Sequence, residues 1–316
     1  MKFRTEIEVP TSPVRIAHSD KIQTLGSCFA ENISGCLENS GFLVDSNPFG
    51  ILYNPASLRR SLYRLIEETP FSKDEIFEDR GIFSSFWHHS CFSQEDPDRF
   101  LTGVNARLKE SSRFLREAKI LILTFGTSYV YRLKESGQVV SNCHKIPAER
   151  FIRERLRLEE IVAEWKILLD DLKTINPDLQ ILFTISPIRH WKDGAHENQL
   201  SKSILLLAVD EIIRENPHCS YFPSYELLLD DLRDYRFYAE DLLHPSTQAI
   251  AYIWEKFSDA FFSTETKGLI KEWESIQRDL NHKPFHPDSE KYIEFRKKAE
   301  ERLSSFRASV ASRGIS

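Results

Sequence analysis

Two uninterrupted apolar runs, Ile120-Leu121-Ile122-Leu123-Thr124-Phe125 and Ile181-Leu182-Phe183-Thr184-Ile185, constrain this chain more than any other feature. A strand with one face in water alternates apolar and polar residues, so runs of this kind predict strands covered on both faces, as in a parallel sheet. Gly126 stops the first run and Ser186-Pro187 the second. Helical patterns over 55–68, 98–117, 158–175, 199–215 and 246–262 lie between these runs and shorter strands expected at 22–25, 41–44 and 220–222. Strand and helix thus alternate with polar, Gly or Pro turns. The expected fold is α/β, a three-layer α/β/α sandwich around a mostly parallel sheet. Ligands in such sheets bind beyond the carboxyl ends of the strands.

Other segments fit this frame less regularly. Residues 74–92 read as an inserted hairpin or irregular loops, and 129–132 with 138–140 as a hairpin. From about 267 the composition turns more charged and the apolar positions thin to a helical stripe. The expectation is one domain over 1–264 and a helical extension over 265–316 that packs on it or mediates self-association. A chain of 316 residues has room for both.

Composition narrows the function classes. With 41% hydrophobic and 28% charged residues the chain is an ordinary globular one. A net charge of −6 argues against broad binding to nucleic acid. Residues 1–10 have charges spread through them and lack the apolar core of a signal peptide, and no stretch is apolar for long enough to span a bilayer. The expected location is the cytoplasm. Five scattered cysteines with no C-x-x-C pair indicate neither a disulfide framework nor a zinc ribbon.

Ser27 sits where a nucleophile would. Ile22, Thr24 and Leu25 end a buried strand, Gly26 permits a sharp turn, and Ala30, Ile33, Cys36 and Leu37 recur at helical spacing. Its hydroxyl would lie at a helix N-terminus, where unpaired N–H groups and the dipole favour developing negative charge. A serine hydroxyl needs a base, and an imidazole oriented by a carboxylate is the common one. Asp241-Leu242-Leu243-His244 supplies both in one short segment, placed just before the last helix of the expected domain. Oxyanion donors would come from the N–H of Ser27 or Cys28, from Gly50 in Asn-Pro-Phe-Gly, and from Phe125-Gly126-Thr127-Ser128. Cys28 is a weaker nucleophile candidate, because the helix it begins should point its side chain away from that of Ser27.

These residues carry a resemblance. Leu25-Gly26-Ser27-Cys28-Phe29-Ala30-Glu31-Asn32 resembles the signature of the GSCFA-domain family. The likeness continues through Asn47–Pro55, Thr124–Ser128, Asn142–Lys145, Ser186–His190, Asp234–Tyr238 and Asp241–Pro245. That family is similar to the SGNH or GDSL-type hydrolases, which implies a flavodoxin-like fold and a serine esterase mechanism without a cofactor. Carried over by position, Ser27 matches the nucleophile, Gly50 the oxyanion glycine, and Asp241 with His244 the acid and base. One departure stands out: the wider superfamily has an asparagine two residues after a glycine in its third motif, where this chain has Ser128. Asn54 and Asn142 are the candidates to replace that amide.

The expected function is therefore hydrolysis or transfer of an acyl ester, carbohydrate-linked esters included. Asn142, His144, Arg189 and His190 are further candidates for the cleft. Arg189 offers a planar fork for a substrate carboxylate or phosphate, against the plainer alternative of an ion pair with Asp193 or Glu197. A non-catalytic module binding an acylated or anionic ligand is the rival reading. Metal-assisted hydrolysis through His144, His190, Asp241 and His244 is a distant third, with spacings that fit no metal motif.

Overall fold

The computed structural model describes residues 4–313. Residues 1–3 and 314–316, parts of the N-terminal stretch and of the tail, lie outside the described residues. The chain opens with β1 (Lys21–Gly26), α1 (Cys28–Asn39), β2 (Leu43–Ser46) and α2 (Pro55–Glu67). A hairpin of β3 (Phe77–Asp79) and β4 (Ile82–Ser84) precedes α3 (Pro97–Glu117) and β5 (Ile120–Phe125). Next come β6 (Tyr129–Leu133), β7 (Val139–Val140), β8 (Phe151–Arg155) and α4 (Leu158–Ile175). The domain continues through β9 (Gln180–Ile185), α5 (Gly194–Glu215), β10 (Cys219–Phe222), a single turn α6 (Ser224–Glu226), a π-helical turn Leu227–Asp231 and α7 (Thr247–Phe261). The helices α8 (Thr264–Leu280) and α9 (Glu290–Arg313) close the chain.

The main sheet runs β10-β9-β5-β1-β2, with every pairing parallel. Numbering only its own strands, this is the 2-1-3-4-5 order of flavodoxin-like folds. The two apolar runs explain themselves in this setting. Leu121, Leu123 and Phe125 face a core shared with α2 to α5, while Ile120 and Ile122 face a second core shared with α1 and α7. Ile181, Phe183 and Ile185 divide from Leu182 in the same way. A strand with apolar neighbours on both sides cannot alternate, and the α/β/α sandwich follows.

The differences from expectation are local. β2 starts at Leu43, because Gly41 turns the chain at φ +85° and Phe42 is buried as the corner's plug. α5 begins at Gly194, earlier than its apolar stripe indicates. β8 was not expected at all: Phe151-Ile152-Arg153-Glu154-Arg155 is dominated by charge. It pairs antiparallel with β6 and completes a three-stranded sheet β7-β6-β8. Arg132 pairs with Glu154 across the ladder, and Phe151 fills a small core with Leu133 and Val140.

The C-terminal helices pack on the domain. Ile270 of α8 joins the core of α1 and α7. Trp273 donates its indole N–H to the Asn39 carbonyl, 3.0 Å, and lies so close over Gly41 that a Cβ there would come 2.5 Å from the ring. Phe306 of α9 packs on Trp273 and on His18, with centroids 5.7 and 5.4 Å apart. Among the described residues no helix is long and apolar enough to cross a membrane.

Candidate active site

β1 ends at the carboxyl rim of the sheet, and its last residue explains why it must be glycine. Gly26 has φ +155°, and a Cβ there would fall 2.5 Å from the Thr124 carbonyl oxygen of the neighbouring β5. The strand end is fastened from the other side as well. Gly26 N–H donates to Asn47 Oδ1, 2.9 Å, and its carbonyl accepts from Leu52 N–H, 2.9 Å. Ser27 follows as the N-cap of α1 and is 1% exposed. N-cap serines ordinarily satisfy a free helix N–H with their hydroxyl, but Ser27 Oγ makes no such bond and has no partner among the described residues. A buried hydroxyl left unpaired costs free energy. Ser27 also lines a cavity of about 720 Å³.

His244 lines the same cavity. Asp241 Oδ1 accepts from the N–H groups of Leu243 and His244, 3.0 Å each, and Oδ2 lies 2.5 Å from His244 Nδ1. The backbone N–H of His244, then that of Leu243 and the imidazole itself, hold the Asp241 carboxyl down at about 2. The loop closes through Ala239 N–H to the His244 carbonyl and Ser246 N–H to that of Phe237, 2.8 Å each. Ser246 Oγ then caps α7.

His244 Nε2 meets Cys28 rather than Ser27. Cys28 Sγ lies 3.6 Å from it, a sulfur hydrogen-bond distance, a contact absent from the sequence reading, which pointed this side chain away from that of Ser27. Burial is the main influence on the thiol and raises its pKa, against the opposing N–H groups of Cys28 and Phe29.

The expected oxyanion donors are corrected by their hydrogen bonds. Gly50 N–H is spent on the Asn47 carbonyl, 2.7 Å, and Gly50 does not line the cavity. Gly126 N–H donates to the Tyr53 carbonyl, 2.7 Å. Ser128 is fully buried behind the wall and its hydroxyl donates to Ser201 Oγ, 3.1 Å. Ser27 N–H points back to the Thr124 carbonyl, 3.3 Å. What remains are the N–H groups of Cys28 and Phe29, which open α1 without backbone acceptors. Asn54 adds a side-chain donor beside the cavity: its Oδ1 accepts from Ser57 N–H to cap α2, and Nδ2 has no partner among the described residues.

The remaining candidates divide. Asn142, Arg189 and His190 line the cavity. His144 does not; it holds a left-handed turn, φ +49°, with Nε2 2.8 Å from the Ser85 carbonyl. His190 packs edge-on against Tyr53, and burial, followed by the charges of Lys202 and Arg153, brings its pKa down to about 4, so the ring is neutral near pH 7. Arg189 pairs with neither suggested carboxylate: Asp193 goes to Arg153, and Glu197 to Arg155 and the Tyr129 hydroxyl.

Several residues of the site escaped the sequence reading. The β6-β7-β8 sheet contributes Tyr129, Tyr131, Val140, Phe151 and Arg153 to the cavity wall. Lys202 lies behind it, wholly buried, with Nζ donating to the Gly126 and Ser186 carbonyls at 2.6 Å each. It thereby ties together the ends of β5 and β9, and burial lowers its pKa to about 7. A signal for it existed. Asn198, Ser201, Lys202, Leu205, Val209 and Ile212 form one buried helical stripe of α5, with a lysine in the middle.

A family model described as "GSCFA family" matches residues 21–257, and one described as "GSCFA domain protein, C-terminal domain" matches 273–312. No curated protein matches the chain. Similar solved structures include a family 3 carbohydrate esterase of Clostridium thermocellum, 11% identical, covering 76% of this chain and 94% of that one at a TM-score of 0.34. Another is a carbohydrate esterase family 3 protein from Talaromyces cellulolyticus, at 9% identity, 80% and 99% coverage and a TM-score of 0.34. An acetyl xylan esterase from the rumen bacterium Butyrivibrio proteoclasticus is 12% identical, with 78% of this chain and 64% of that one covered and a TM-score of 0.35.

Proposed function

The chain belongs to the GSCFA family, and from that premise and the geometry of its cleft we propose that it is a serine hydrolase or acyltransferase acting on an acyl ester. One observation carries this reading. A buried serine hydroxyl with no partner among the described residues lines the same cavity as an imidazole whose Nδ1 is held by a carboxylate.

In the proposed reaction Ser27 Oγ attacks the ester carbonyl and His244 Nε2 takes its proton. Asp241, ionised well below neutral pH, fixes the imidazole with Nε2 free and stabilises the imidazolium that forms. The oxyanion is met by the N–H groups of Cys28 and Phe29, which face the Cys28 thiol until it turns away, and by Asn54 Nδ2. The proton returns to the departing alkoxide, and water or a second alcohol then repeats the sequence on the acyl-enzyme. Proton transfer from Ser27 requires the Cys28 thiol to rotate off His244 Nε2.

The contact between Cys28 and His244 favours a second reading, in which the thiol is the nucleophile. Burial that raises its pKa works against that role, since the thiolate is the reactive form. Intact-protein mass spectrometry with a fluorophosphonate separates the two. One adduct on the wild type and on Cys28→Ala, absent from Ser27→Ala, is the expected result. An adduct lost only in Cys28→Ala moves the chemistry to the thiol. No adduct on any folded form, with no ester turned over, leaves the cleft as a binding site.

A further inference from the structure

The charge of the cleft is opposite to that of the chain. The protein carries −6 overall, yet among the described residues no aspartate or glutamate lines the cavity, and Lys145, Arg153, Arg189 and Lys192 do. Arg153 is balanced by Asp193. The other three cations have no carboxylate within ion-pair distance among the described residues. Lys192 Nζ donates to the Tyr131 hydroxyl, 2.5 Å, and the Arg189 guanidinium lies 6.0 Å from the centre of the Trp191 ring. The nearby acids are otherwise placed. Glu197 is taken by Arg155 and the Tyr129 hydroxyl, Asp241 is held by His244, and Glu31 lies a turn inside α1, outside the cavity wall.

Unbalanced like charges repel, and a concave site of one sign raises the local concentration of the opposite one. The cations come from two separate segments, Lys145 from the connection between β7 and β8 and the other two from the stretch after β9. Their field reaches other groups: Lys192 and Arg153 oppose the effect of burial on the Cys143 thiol.

Building on the hydrolase reading, we propose that the substrate is an ester bearing a second, anionic oxygen group, a carboxylate or a phosphate, held by Arg189 and Lys192 with Lys145 at the rim. The guanidinium fork matches either group in two parallel hydrogen bonds. Tyr131 and Trp191 supply ring faces for the organic part between that group and the ester.

Cys143 lines the cavity and reports its potential without substrate or turnover. Its alkylation by anionic iodoacetate and by neutral iodoacetamide is followed on the full chain by peptide mass spectrometry. The ratio of the two rates is referred to Cys91, an exposed thiol outside the cavity. At low ionic strength the ratio at Cys143 exceeds that at Cys91 by about 5-fold or more, and about 0.5 M salt removes most of the difference. Arg189→Ala combined with Lys192→Ala brings it to within about 2-fold of Cys91. A ratio at Cys143 no higher than at Cys91, or one unmoved by the double substitution, overturns the proposal. Slowing of iodoacetamide by succinate or by inorganic phosphate identifies which group fits better. On the wild type, kcat/KM for 4-acetoxybenzoate exceeds that for its uncharged methyl ester by a similar factor, and the reverse order counts against the proposal. A raised ratio without a fluorophosphonate adduct keeps the anion subsite and removes the hydrolase, while an adduct with a flat ratio does the opposite.

Discussion

Ser27 is 1% exposed and sits at a strand end clamped by Asn47, Leu52 and the close passage of β5. The side chains of Asp241 and His244 are 46% and 48% exposed and are held by one loop. The two halves of the proposed catalytic apparatus are therefore stabilised by different means. The floor draws on two hydrophobic cores, a glycine no other residue can replace and a buried lysine. The rim draws on a handful of local hydrogen bonds in water. Damage to the floor should register first as lost stability, and damage to the rim as lost activity in a folded protein.

The sharpest test of that division is at the rim. Asp241→Asn leaves the Oδ1 contacts to Leu243 and His244 available but loses the charge that fixes the imidazole. Its fluorophosphonate labelling rate falls by about 10⁴, with a melting temperature close to that of the wild type. A large fall in melting temperature would show that the loop carries fold stability and would erase the contrast.

Gly26→Ala is the matching change in the floor. It puts a Cβ against the Thr124 carbonyl and forces a side chain into φ +155°, so we expect a loss of about 3 kcal/mol in urea unfolding. A stable variant with intact labelling would mean that the strand end yields more easily than its contacts indicate.

Lys202→Met probes the floor through pH. Burial lowers the lysine from 10.5 to about 7 in the folded state. Between those values the unfolded chain binds the proton and the folded one does not, so the stability of the wild type rises with pH there, by up to about 1.4 kcal/mol per unit. Below pH 7 both states are protonated and the full cost of burying the charge remains. The difference in stability between wild type and Lys202→Met should therefore shift in favour of the wild type from pH 7 to 10. A difference independent of pH means that the two carbonyls keep the ammonium charged throughout.

The smallest effect is expected at Leu242, which is 55% exposed and held at φ +59°. Asparagine tolerates the left-handed region better than leucine, and Leu242→Asn should add about 0.5 kcal/mol in the same unfolding measurement. A destabilised variant would give the leucine a packing role that its exposure does not indicate.

The same division decided what could be read from the sequence. The floor was legible where burial leaves a pattern: the apolar runs, the strand-to-helix junction at Ser27, and the helical stripes. Its polar members were not. Whether Ser128 keeps a donor free depends on where the Ser201 hydroxyl comes to rest, which is a tertiary fact, whereas the Gly50 N–H is spent inside its own four-residue turn on the Asn47 carbonyl. Lys202 reads as a surface residue until its place in the stripe of α5 is noticed. β8 was missed because its charges satisfy one another across the ladder, as Arg132 and Glu154 do, so no apolar alternation was needed. The contact of Cys28 joins it to a histidine more than two hundred residues away, which no local pattern announces.

Trp273 has a consequence for the order in which the molecule is completed. α1, which Ser27 caps, ends beneath that indole, with the Asn39 carbonyl bonded to it and Gly41 covered by its ring. A ribosome delivers residue 273 long after residue 41, and domains assemble from the parts already delivered. The nascent chain must carry α1 with its far end uncovered until residue 273 has been made. Arrival of α8 then closes the notch, so the helix that presents the serine gains this support only after every strand of the main sheet has been made.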